Sequence, residues 1–405
     1  MHTSTCVLLS ESLVSQIISS ATPPLKKTPL HSLHKALGAR MGTFAGFNMP
    51  INYRSGIIAE HKHCRQEAAL FDVSHMTQFR LLGSGSLFEA AEALEMLVPG
   101  NLRELPSGRL CYTMFTNDRG GILDDLIVAR GEDHFRLIGN ASRREIDKKV
   151  LLESLPTTVS HELLDQALLA LQGPKAEAVI VRHAPKLNSL NFMCGTKTRI
   201  AGLNCWVSRS GYTGEDGYEI SVQTGNAMEL AETLLAEEEV KFAGLGARDS
   251  LRLEAGLCLY GSDLDETITP IEAGLYWTIP KRRRESKNFP GSDTIIRQLS
   301  EGPMRRRVGI LPTENAIARK GTIINDENGE ELGIVTSGGF GPTVGSPIAV
   351  GYIKQHAAKT GHRLNLRVRN KETKAVVTPL PFVEHNYCKN QTQLHGNTKA
   401  RQNKE

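Results

Sequence analysis

Residues 120–128 have the sequence Gly-Gly-Ile-Leu-Asp-Asp-Leu-Ile-Val, in which two carboxylates interrupt an apolar run. Successive side chains of a strand point to opposite faces, so Asp124 and Asp125 must lie on different faces, each among apolar neighbours. Because a buried charge without partners is costly, at least one of them should meet a donor, a ligand or solvent at a cleft. The structural alternative is that one aspartate pairs with an arginine and the other is exposed.

The residues on either side of this segment predict a hairpin within a mixed fold. Strand-like residues 111–115 and 122–129 flank an Asn-Asp-Arg-Gly-Gly turn, which is typical of a β-hairpin, and residues 135–138 predict a third strand. Ser86 followed by Glu89 is a capping box that predicts the start of a helix. Helices and short strands continue to alternate without a regular βαβ rhythm. The sequence therefore predicts the α+β class.

The last part of the chain has a different composition. Beyond a basic stretch, Lys281 to Arg307, we predict only short strands and turns, as in a small antiparallel barrel or sandwich. The predicted organisation is a disordered leader at residues 1–27, an α+β region at 28–285, a β-only domain at 286–387 and a disordered polar tail at 388–405.

Composition excludes several classes of protein. The chain has 405 residues, of which 40% are hydrophobic and 23% charged, as expected for a globular protein of more than one domain. The formal net charge is +4, and Lys281 to Arg307 contains nine basic and three acidic residues, a net +6. That stretch has a single aromatic residue, Phe289, so a nucleic-acid interface is not indicated. No apolar run approaches the ~20 residues that span a membrane.

The seven cysteines include no Cys-x-x-Cys pair, which favours free thiols over a disulfide framework or a zinc site. We predict no metal site, because the cluster of possible ligands at His61, His63, Cys64 and His75 has no recognised ligand spacing.

Two glycine-rich segments are further candidates for ligand contact. Residues 210–219 contain three glycines and lead into a strand that carries Glu219, and glycine at this density lets a flat ligand approach the backbone. Gly-Leu-Gly at 244–246 opens a helix on which Arg248 and Arg252 share a face. The structural alternatives are a hairpin loop for the first segment and a solvated face or internal salt bridge for the second. Neither is a phosphate loop or dinucleotide fingerprint.

Together these segments resemble the tetrahydrofolate-dependent aminomethyltransferases of the glycine cleavage system, the T-protein family. The resemblance covers about residues 28 to 387, in the same order as in the family. It includes the stretches Phe71 to Met76, Gly120 to Val128, Gly211 to Glu219, Gly244 to Asp249 and Ser346 to Ala349. The resemblance implies a three-lobed cloverleaf, with two intertwined α+β folate-binding lobes and a C-terminal antiparallel β-barrel.

The family transfers the aminomethyl group on the lipoyl arm of H-protein to tetrahydrofolate, which gives 5,10-methylenetetrahydrofolate, ammonia and dihydrolipoyl H-protein. By its match to the family motif, Asp125 is the implied catalytic residue, and Glu219 and Arg248 are the implied clamp on the pteridine edge. The other implied ligand-contacting residues are Tyr112, Tyr212, Asn140, Tyr387 and Met76. Tetrahydrofolate is the implied co-substrate, and no metal is implied. Phe47 departs from the family, which usually has tryptophan there.

The resemblance also implies partners: lipoylated H-protein, an acidic carrier, and the other glycine cleavage proteins, with no nucleic acid and no membrane. Because the carrier is acidic, the arginines of residues 281–292 are candidates for docking it, and a solvated linker face is the alternative. We predict a cytoplasmic location, with the mitochondrial matrix as the alternative.

A competing function is that of a folate-binding relative without transferase activity, of the iron–sulfur assembly type. Such relatives carry a Lys-Gly-Cys motif. The nearest segment here, Lys320-Gly321-Thr322, lacks the cysteine. The sequence therefore favours the transferase.

Overall fold

The structure is a computed structural model that describes residues 24–369 and 371–388. The predicted leader and tail lie mostly outside these described residues. Within the predicted leader, Lys26 already forms a bridge with Phe47, and its N–H donates to the Gly46 carbonyl at 3.0 Å. Regular backbone pairing thus begins before residue 28.

The chain up to residue 172 alternates short helices with strands. In chain order its elements are α1 (His31–Ala36), β1 (Arg40–Phe44), β2 (Phe47–Asn52), α2 (Ile57–Gln66), β3 (Ala68–Asp72), β4 (Thr77–Gly83), α3 (Leu87–Glu95), β5 (Leu110–Thr116), β6 (Ile122–Arg130), β7 (Phe135–Gly139), α4 (Arg144–Ser154), β8 (Val159–Leu163) and β9 (Gln166–Gln172). Helix α3 begins where the capping box predicts, because the Glu89 N–H donates to Ser86 Oγ at 3.2 Å.

The middle of the chain continues the same mixture. Its elements are α5 (Ala176–His183), β10 (Cys194–Ile200), β11 (Leu203–Arg209), β12 (Gly217–Gln223), α6 (Ala227–Leu235), β13 (Val240–Phe242), α7 (Leu245–Glu254), α8 (Lys281–Ser286) and α9 (Ser292–Glu301). The last two helices occupy the basic stretch, where the sequence analysis proposed no helix. Of the helices at residues 24–369 and 371–388, none has the length and apolar character of a bilayer-spanning segment.

Two main sheets are built from these strands. The first has the order β5-β6-β7-β4-β8 and is antiparallel throughout. The second has the order β10-β11-β12-β9-β3-β13, in which β13 is parallel to β3 and the other pairs are antiparallel. The chain enters the second sheet at β3, builds the first sheet from β4 to β8, and returns to the second at β9. The two lobes are therefore intertwined in sequence.

One apolar cluster joins the two sheets. It includes Phe71 and Ala170 from the second sheet, Ala129 and Ile138 from the first, and Leu251 from α7. Each of these side chains is at most 3% exposed, so this layer is a true core rather than a loose contact. The face of β6 that carries Asp125 also carries Ala129, and it therefore points towards this layer.

Residues 305–378 form a closed barrel with strand order β14-β17-β16-β15-β18-β19. The strands are β14 (Arg305–Pro312), β15 (Ile323–Asn325), β16 (Glu331–Gly341), β17 (Ser346–Lys354), β18 (Arg363–Val368) and β19 (Lys371–Thr378). Every neighbouring pair is antiparallel. The interior is apolar, with Ile310, Ala349 and Leu366 fully buried. The predicted α+β fold with a C-terminal antiparallel barrel is confirmed.

The barrel is fixed to the rest of the molecule at the end of α7. The buried Glu254 carboxylate accepts the Thr343 N–H of the barrel at 2.7 Å and the Arg65 Nη2 of α2 at 3.0 Å. His61 Nε2 lies 3.1 Å from the same carboxylate. One side chain thus connects helix α2, helix α7 and the barrel.

Candidate active site

The two adjacent aspartates of β6 lie on opposite faces of the sheet. Asp124 is 0% exposed, whereas Asp125 is half-buried, as the alternation of strand side chains predicts. Within the described part of the chain, neither carboxylate has an arginine or lysine partner. The alternative in which one aspartate forms an arginine pair is therefore wrong.

Asp125 is oriented by two hydrogen bonds. Tyr112 Oη donates to Asp125 Oδ2 at 2.9 Å, and Asn140 Nδ2 donates to Asp125 Oδ1 at 2.9 Å. Burial raises the pKa of Asp125, and the hydrogen bonds from Tyr112 and Asn140 oppose that rise. A carboxylate that is fixed in this way, with a raised pKa, is suited to accept a proton from a bound molecule.

Tyr112 connects this carboxylate to the surface. Its ring stacks on Trp277 with ring centroids 5.7 Å apart and an interplanar angle of 22°. Trp277 belongs to the short 3₁₀ turn Tyr276–Thr278 and is 59% exposed. The two rings thus form an aromatic wall that runs from solvent to Asp125.

Arg248, near the start of α7, carries a buried donor without a partner. Its Nη1 atom has no hydrogen-bond acceptor among the described residues, and its guanidinium lies over the Tyr212 ring at 4.6 Å. Burial lowers the pKa of Arg248, and the negative charge of nearby Glu219 opposes this effect. Glu219 itself is 8% exposed and accepts the Ser210 hydroxyl at 2.7 Å. A buried donor left open beside a carboxylate is the pattern expected where a polar ligand edge binds.

Tyr212 links the two halves of the site. Its hydroxyl donates to the carbonyl of Cys258. Burial raises the pKa of Tyr212, and the nearby charges include both Asp125, which adds to the rise, and Arg248, which opposes it. Asp125 and Arg248 therefore act on the same hydroxyl. The structure brings Asp125, Tyr112, Asn140, Tyr212, Glu219 and Arg248 into one neighbourhood.

Tyr387 and Met76 lie at the margins. The Tyr387 ring stacks on Phe192 at 4.2 Å, and the preceding residue, Asn386, donates its N–H to the Gly214 carbonyl at 2.8 Å. Tyr387 thus lies beside the glycine-rich loop, and no hydrogen bond joins it to Asp125 in the described structure. Met76 is half-buried and packs on the apolar cluster between the sheets.

Three arginines of the predicted docking segment make hydrogen bonds within the protein. Arg283 is completely buried and donates Nη2 to the Val98 carbonyl at 3.0 Å. Arg282 and Arg283 both pair with the buried carboxylate of Glu95 in α3. Arg284 Nε donates to the Ile279 carbonyl at 2.5 Å. Arg282 and Arg283 thus fasten helix α8 to the first lobe, whereas Arg284 binds within its own segment.

One residue of this neighbourhood was missed by the sequence analysis. Asp147 of α4 is 2% exposed, and its Oδ2 lies near Oδ2 of Asp124 beside Gly139. A Cβ at Gly139 would lie 2.8 Å from Asp147 Oδ2 and 3.1 Å from Asp124 Oδ2, so a larger residue there would crowd both carboxyl groups. The segment Arg-Glu-Ile-Asp-Lys-Lys around Asp147 has the composition of an exposed helix and gives no sign of this role.

Comparison with known proteins identifies the family. A protein-family model described as the GCVT N-terminal domain matches residues 30–283, and the glycine cleavage T-protein C-terminal barrel domain matches residues 305–384. The chain belongs to the glycine cleavage T-protein family. This confirms the resemblance predicted from the motifs.

Several T-protein relatives match over nearly their whole length. The mitochondrial aminomethyltransferase of Gallus gallus is 44% identical over 384 residues, which cover 93% of this chain and 97% of the relative. That of Homo sapiens is 44% identical over 379 residues, covering 91% and 93%. The crystal structure of the glycine cleavage system aminomethyltransferase T of Bartonella henselae has a TM-score of 0.86 and 41% identity, and covers 90% of this chain and 100% of that one.

The predicted enzyme class agrees with the names of these T-protein relatives. Two of the relatives are named mitochondrial, whereas the location predicted first from the sequence is the cytoplasm. The names of these relatives favour the predicted alternative, the mitochondrial matrix.

Proposed function

We propose that this chain transfers an aminomethyl group from the dihydrolipoyl arm of a carrier protein, the lipoylated H-protein, to tetrahydrofolate in glycine catabolism. The observation that carries the proposal is the unpartnered Nη1 of Arg248 beside Glu219, close to the oriented carboxylate of Asp125. Membership of the T-protein family supports the same reaction.

The residues present fit the pteridine of tetrahydrofolate. A pteridine edge presents N–H donors next to a carbonyl acceptor, which matches a carboxylate next to an open guanidinium donor. Glu219 and Arg248 offer this combination in a buried setting, where each hydrogen bond discriminates strongly. Met76, half-buried on the apolar layer, and Tyr112 provide contact surface for the ring system. Tyr212 and Asn140 complete the lining.

Asp125 performs the proton transfer in this proposal. Tetrahydrofolate supplies the nitrogen atoms that accept the one-carbon unit. Asp125 accepts the proton of the attacking N–H at a carboxylate oxygen and returns it to the departing amine, which leaves as ammonia. Tyr112 and Asn140 hold the carboxylate in one orientation during both transfers. Because the ionised form is required, activity should fall as the pH drops through the raised pKa of Asp125.

The test is formation of ammonia and methylenetetrahydrofolate from aminomethyl-loaded H-protein. We expect Asp125→Asn to lower kcat by about 100-fold or more, the usual contribution of a general base. Asp118→Asn is the matched control, because Asp118 is exposed in the turn of the same hairpin. Equal rates for wild type and Asp125→Asn would overturn the assigned role. Tight tetrahydrofolate binding without turnover in the wild type would instead favour the non-transferase alternative.

We further propose the mitochondrial matrix as the location, supported by the names of the relatives. Imaging of the full-length chain with a C-terminal fluorescent tag tests this, and cytoplasmic fluorescence would contradict it. Residues 28–285 and 286–387 remain our proposed division of the chain, with Tyr387 reaching the substrate from the second part.

A further inference from the structure

Asn140 lies beside both aspartates of β6. Ile127 of β6 pairs with Ile138 of β7, so the same antiparallel register, continued by two residues, places Asn140 opposite Asp125. Asn140 follows directly after the last residue of β7 and precedes a short 3₁₀ turn, and its own backbone is extended. Its side chain is therefore close to β6 although Asn140 is not part of the strand ladder.

The side-chain amide of Asn140 divides its two hydrogens between the aspartates. Its Nδ2 donates to Asp124 Oδ1 at 2.8 Å and to Asp125 Oδ1 at 2.9 Å. The backbone carbonyl oxygen of Asp125 lies 3.1 Å from the same nitrogen. All three neighbours are oxygen atoms, so the hydrogen-bond network assigns the NH2 group, and not the amide oxygen, to this side. The bond to Asp124 thus fixes the direction in which the second N–H points at Asp125.

Asp124 also holds the backbone of Asn140. The Asn140 N–H donates to Asp124 Oδ2 at 3.0 Å, so each of the two carboxyl oxygens accepts a donor from the same residue. A Cβ at Gly139 would lie 3.1 Å from Asp124 Oδ2, so the glycine leaves room for this close approach. Asp124 therefore fixes both the main chain and the side chain of Asn140.

The position of Asp124 is costly for a carboxyl group. Asp124 is 0% exposed, and its face of β6 also carries Leu126 and Val128, which belong to the apolar cluster of the first lobe. An apolar residue would pack there without the cost of burying a polar group. The structural alternative is that Asp124 only satisfies the Asn140 N–H before the 3₁₀ turn. That alternative does not require the second bond, to Nδ2.

We propose that Asp124 is a positioning residue for the reaction: it holds the Asn140 amide so that the second N–H of this amide orients the Asp125 carboxylate. The catalytic consequence rests on the proposed function, whereas the effect on the orientation of Asn140 does not. Without Asp124 the Asn140 side chain is free to rotate, and Asp125 keeps the hydrogen bond from Tyr112. A displaced general base transfers protons more slowly even when substrate binding is unchanged.

Steady-state kinetics of the full-length chain with aminomethyl-loaded H-protein test the proposal. We expect Asp124→Ala to lower kcat by about tenfold or more, while the KM for tetrahydrofolate changes less than about threefold. Asp124→Asn keeps an oxygen that can accept from Asn140 Nδ2, so its kcat should lie between those of Asp124→Ala and the wild type. Asp118→Ala, an exposed change in the turn of the same hairpin, is the matched control and should equal the wild type. An unchanged kcat in Asp124→Ala, or an Asp124→Asn variant no faster than Asp124→Ala, would overturn the proposal.

A double-mutant cycle tests whether Asp124 acts through Asn140. The amide is already absent from Asn140→Ala, so adding Asp124→Ala to that variant should lower kcat by less than about threefold more. If the two single effects multiply in full, Asp124 acts by another route and the proposal is wrong.

Crystal structures of the variants without substrate distinguish this positioning role from the proposed function. We expect the distance from Asn140 Nδ2 to Asp125 Oδ1 to exceed about 3.5 Å in Asp124→Ala and to stay near 2.9 Å in Asp118→Ala. If Asp124→Ala does not fold, Asp124→Leu, which suits the apolar surroundings, replaces it in every comparison. An unchanged distance would contradict the positioning role, whether or not the protein turns over substrate. Absence of turnover in a wild type, together with the expected displacement in the variant, would count only against the proposed function.

Discussion

The two ends of helix α7 differ in whether their charged side chains find hydrogen-bond partners within the protein. Near its start, Arg248 is half-buried, and its buried Nη1 has no partner among the described residues. In its last turn, Arg252 donates to Asp263 at 2.8 Å and to Ser337 at 3.0 Å, while Glu254 accepts donors from α2 and from the barrel. At the C-terminal end of α7 the charged side chains are hydrogen-bonded within the protein, whereas at the N-terminal end one donor of Arg248 is not.

This difference distinguishes charged side chains that stabilise the fold from a side chain that is available to bind a ligand. Polar groups removed from water need partners, and where the protein provides all of them the interaction acts in folding. At Arg248 the protein leaves one donor open beside Glu219, and there we expect a ligand to supply the missing partner. The same contrast holds between the Nη groups of Arg283, which bind Glu95 and the Val98 carbonyl, and Nη1 of Arg248, which has no partner in the described structure.

The largest expected effect is a loss of stability at the C-terminal end of α7, where the charged side chains have partners. Glu254→Ala removes the buried acceptor that Arg65, His61 and the Thr343 N–H share, although Arg65 keeps Glu215, so we expect a loss of about 3–5 kcal/mol in the free energy of unfolding. Urea denaturation measures it. Glu232→Ala, exposed on α6, is the control and should change the free energy by less than about 0.5 kcal/mol. Equal losses of unfolding free energy in the two variants would contradict the stabilising role of Glu254.

At the N-terminal end of α7, replacement of Arg248 should affect the affinity for tetrahydrofolate. Arg248→Ala removes a charge-assisted donor worth about 1.5–3 kcal/mol, so tetrahydrofolate should bind about 10- to 100-fold more weakly. The free energy of unfolding should change by less than about 1 kcal/mol, since no hydrogen bond of Nη1 within the protein is lost. Isothermal titration calorimetry measures the affinity, with the exposed Arg297→Ala as control. Unchanged affinity with a large loss of stability would assign Arg248 to the fold.

A smaller effect should appear in the pH dependence of stability. Burial raises the pKa of Glu254, but hydrogen bonds from His61 and Thr343 outweigh it and lower that pKa to about 2. A carboxyl group with a lowered folded-state pKa stabilises the fold above its unfolded pKa of about 4.3 and loses this contribution as the pH falls. Between pH 6 and pH 3 the wild type should lose about 2 kcal/mol that Glu254→Gln does not lose. Urea unfolding at several pH values measures this, and parallel curves would contradict it.

Local patterns predicted the parts of the fold that depend on neighbouring residues. The hairpin around Asp124 and Asp125 follows from alternation and a glycine-rich turn, and the barrel follows from closely spaced strands and turns. Helix α3 follows from its capping box. Helices α8 and α9 were not predicted. Neither begins with a side-chain cap, and the apolar face of α9, formed by Ile295 and Leu299, was overlooked beside the run of arginines.

The site was predictable only in part. Asp125, Glu219 and Arg248 could be selected because charged residues inside apolar or glycine-rich segments are unusual. The role of Asn140 as the link between two aspartates depends on the fold, since it joins residues that adjoin only in three dimensions. Asp147 and Glu254 were not selected, because their partners come from other elements; Arg65 and Glu254, for example, are 189 positions apart.

The stacked pair of Trp277 and Tyr112 gives the protein an intrinsic fluorescent reporter of the site. The chain has two tryptophans, and Trp206 lies 8% exposed beneath the guanidinium of Arg136. Trp277 is largely in solvent, yet its ring touches the tyrosine that holds Asp125. Occupation of the site should therefore alter the emission of one indole and leave the other as an internal reference, so that intrinsic fluorescence can follow each binding event without a label.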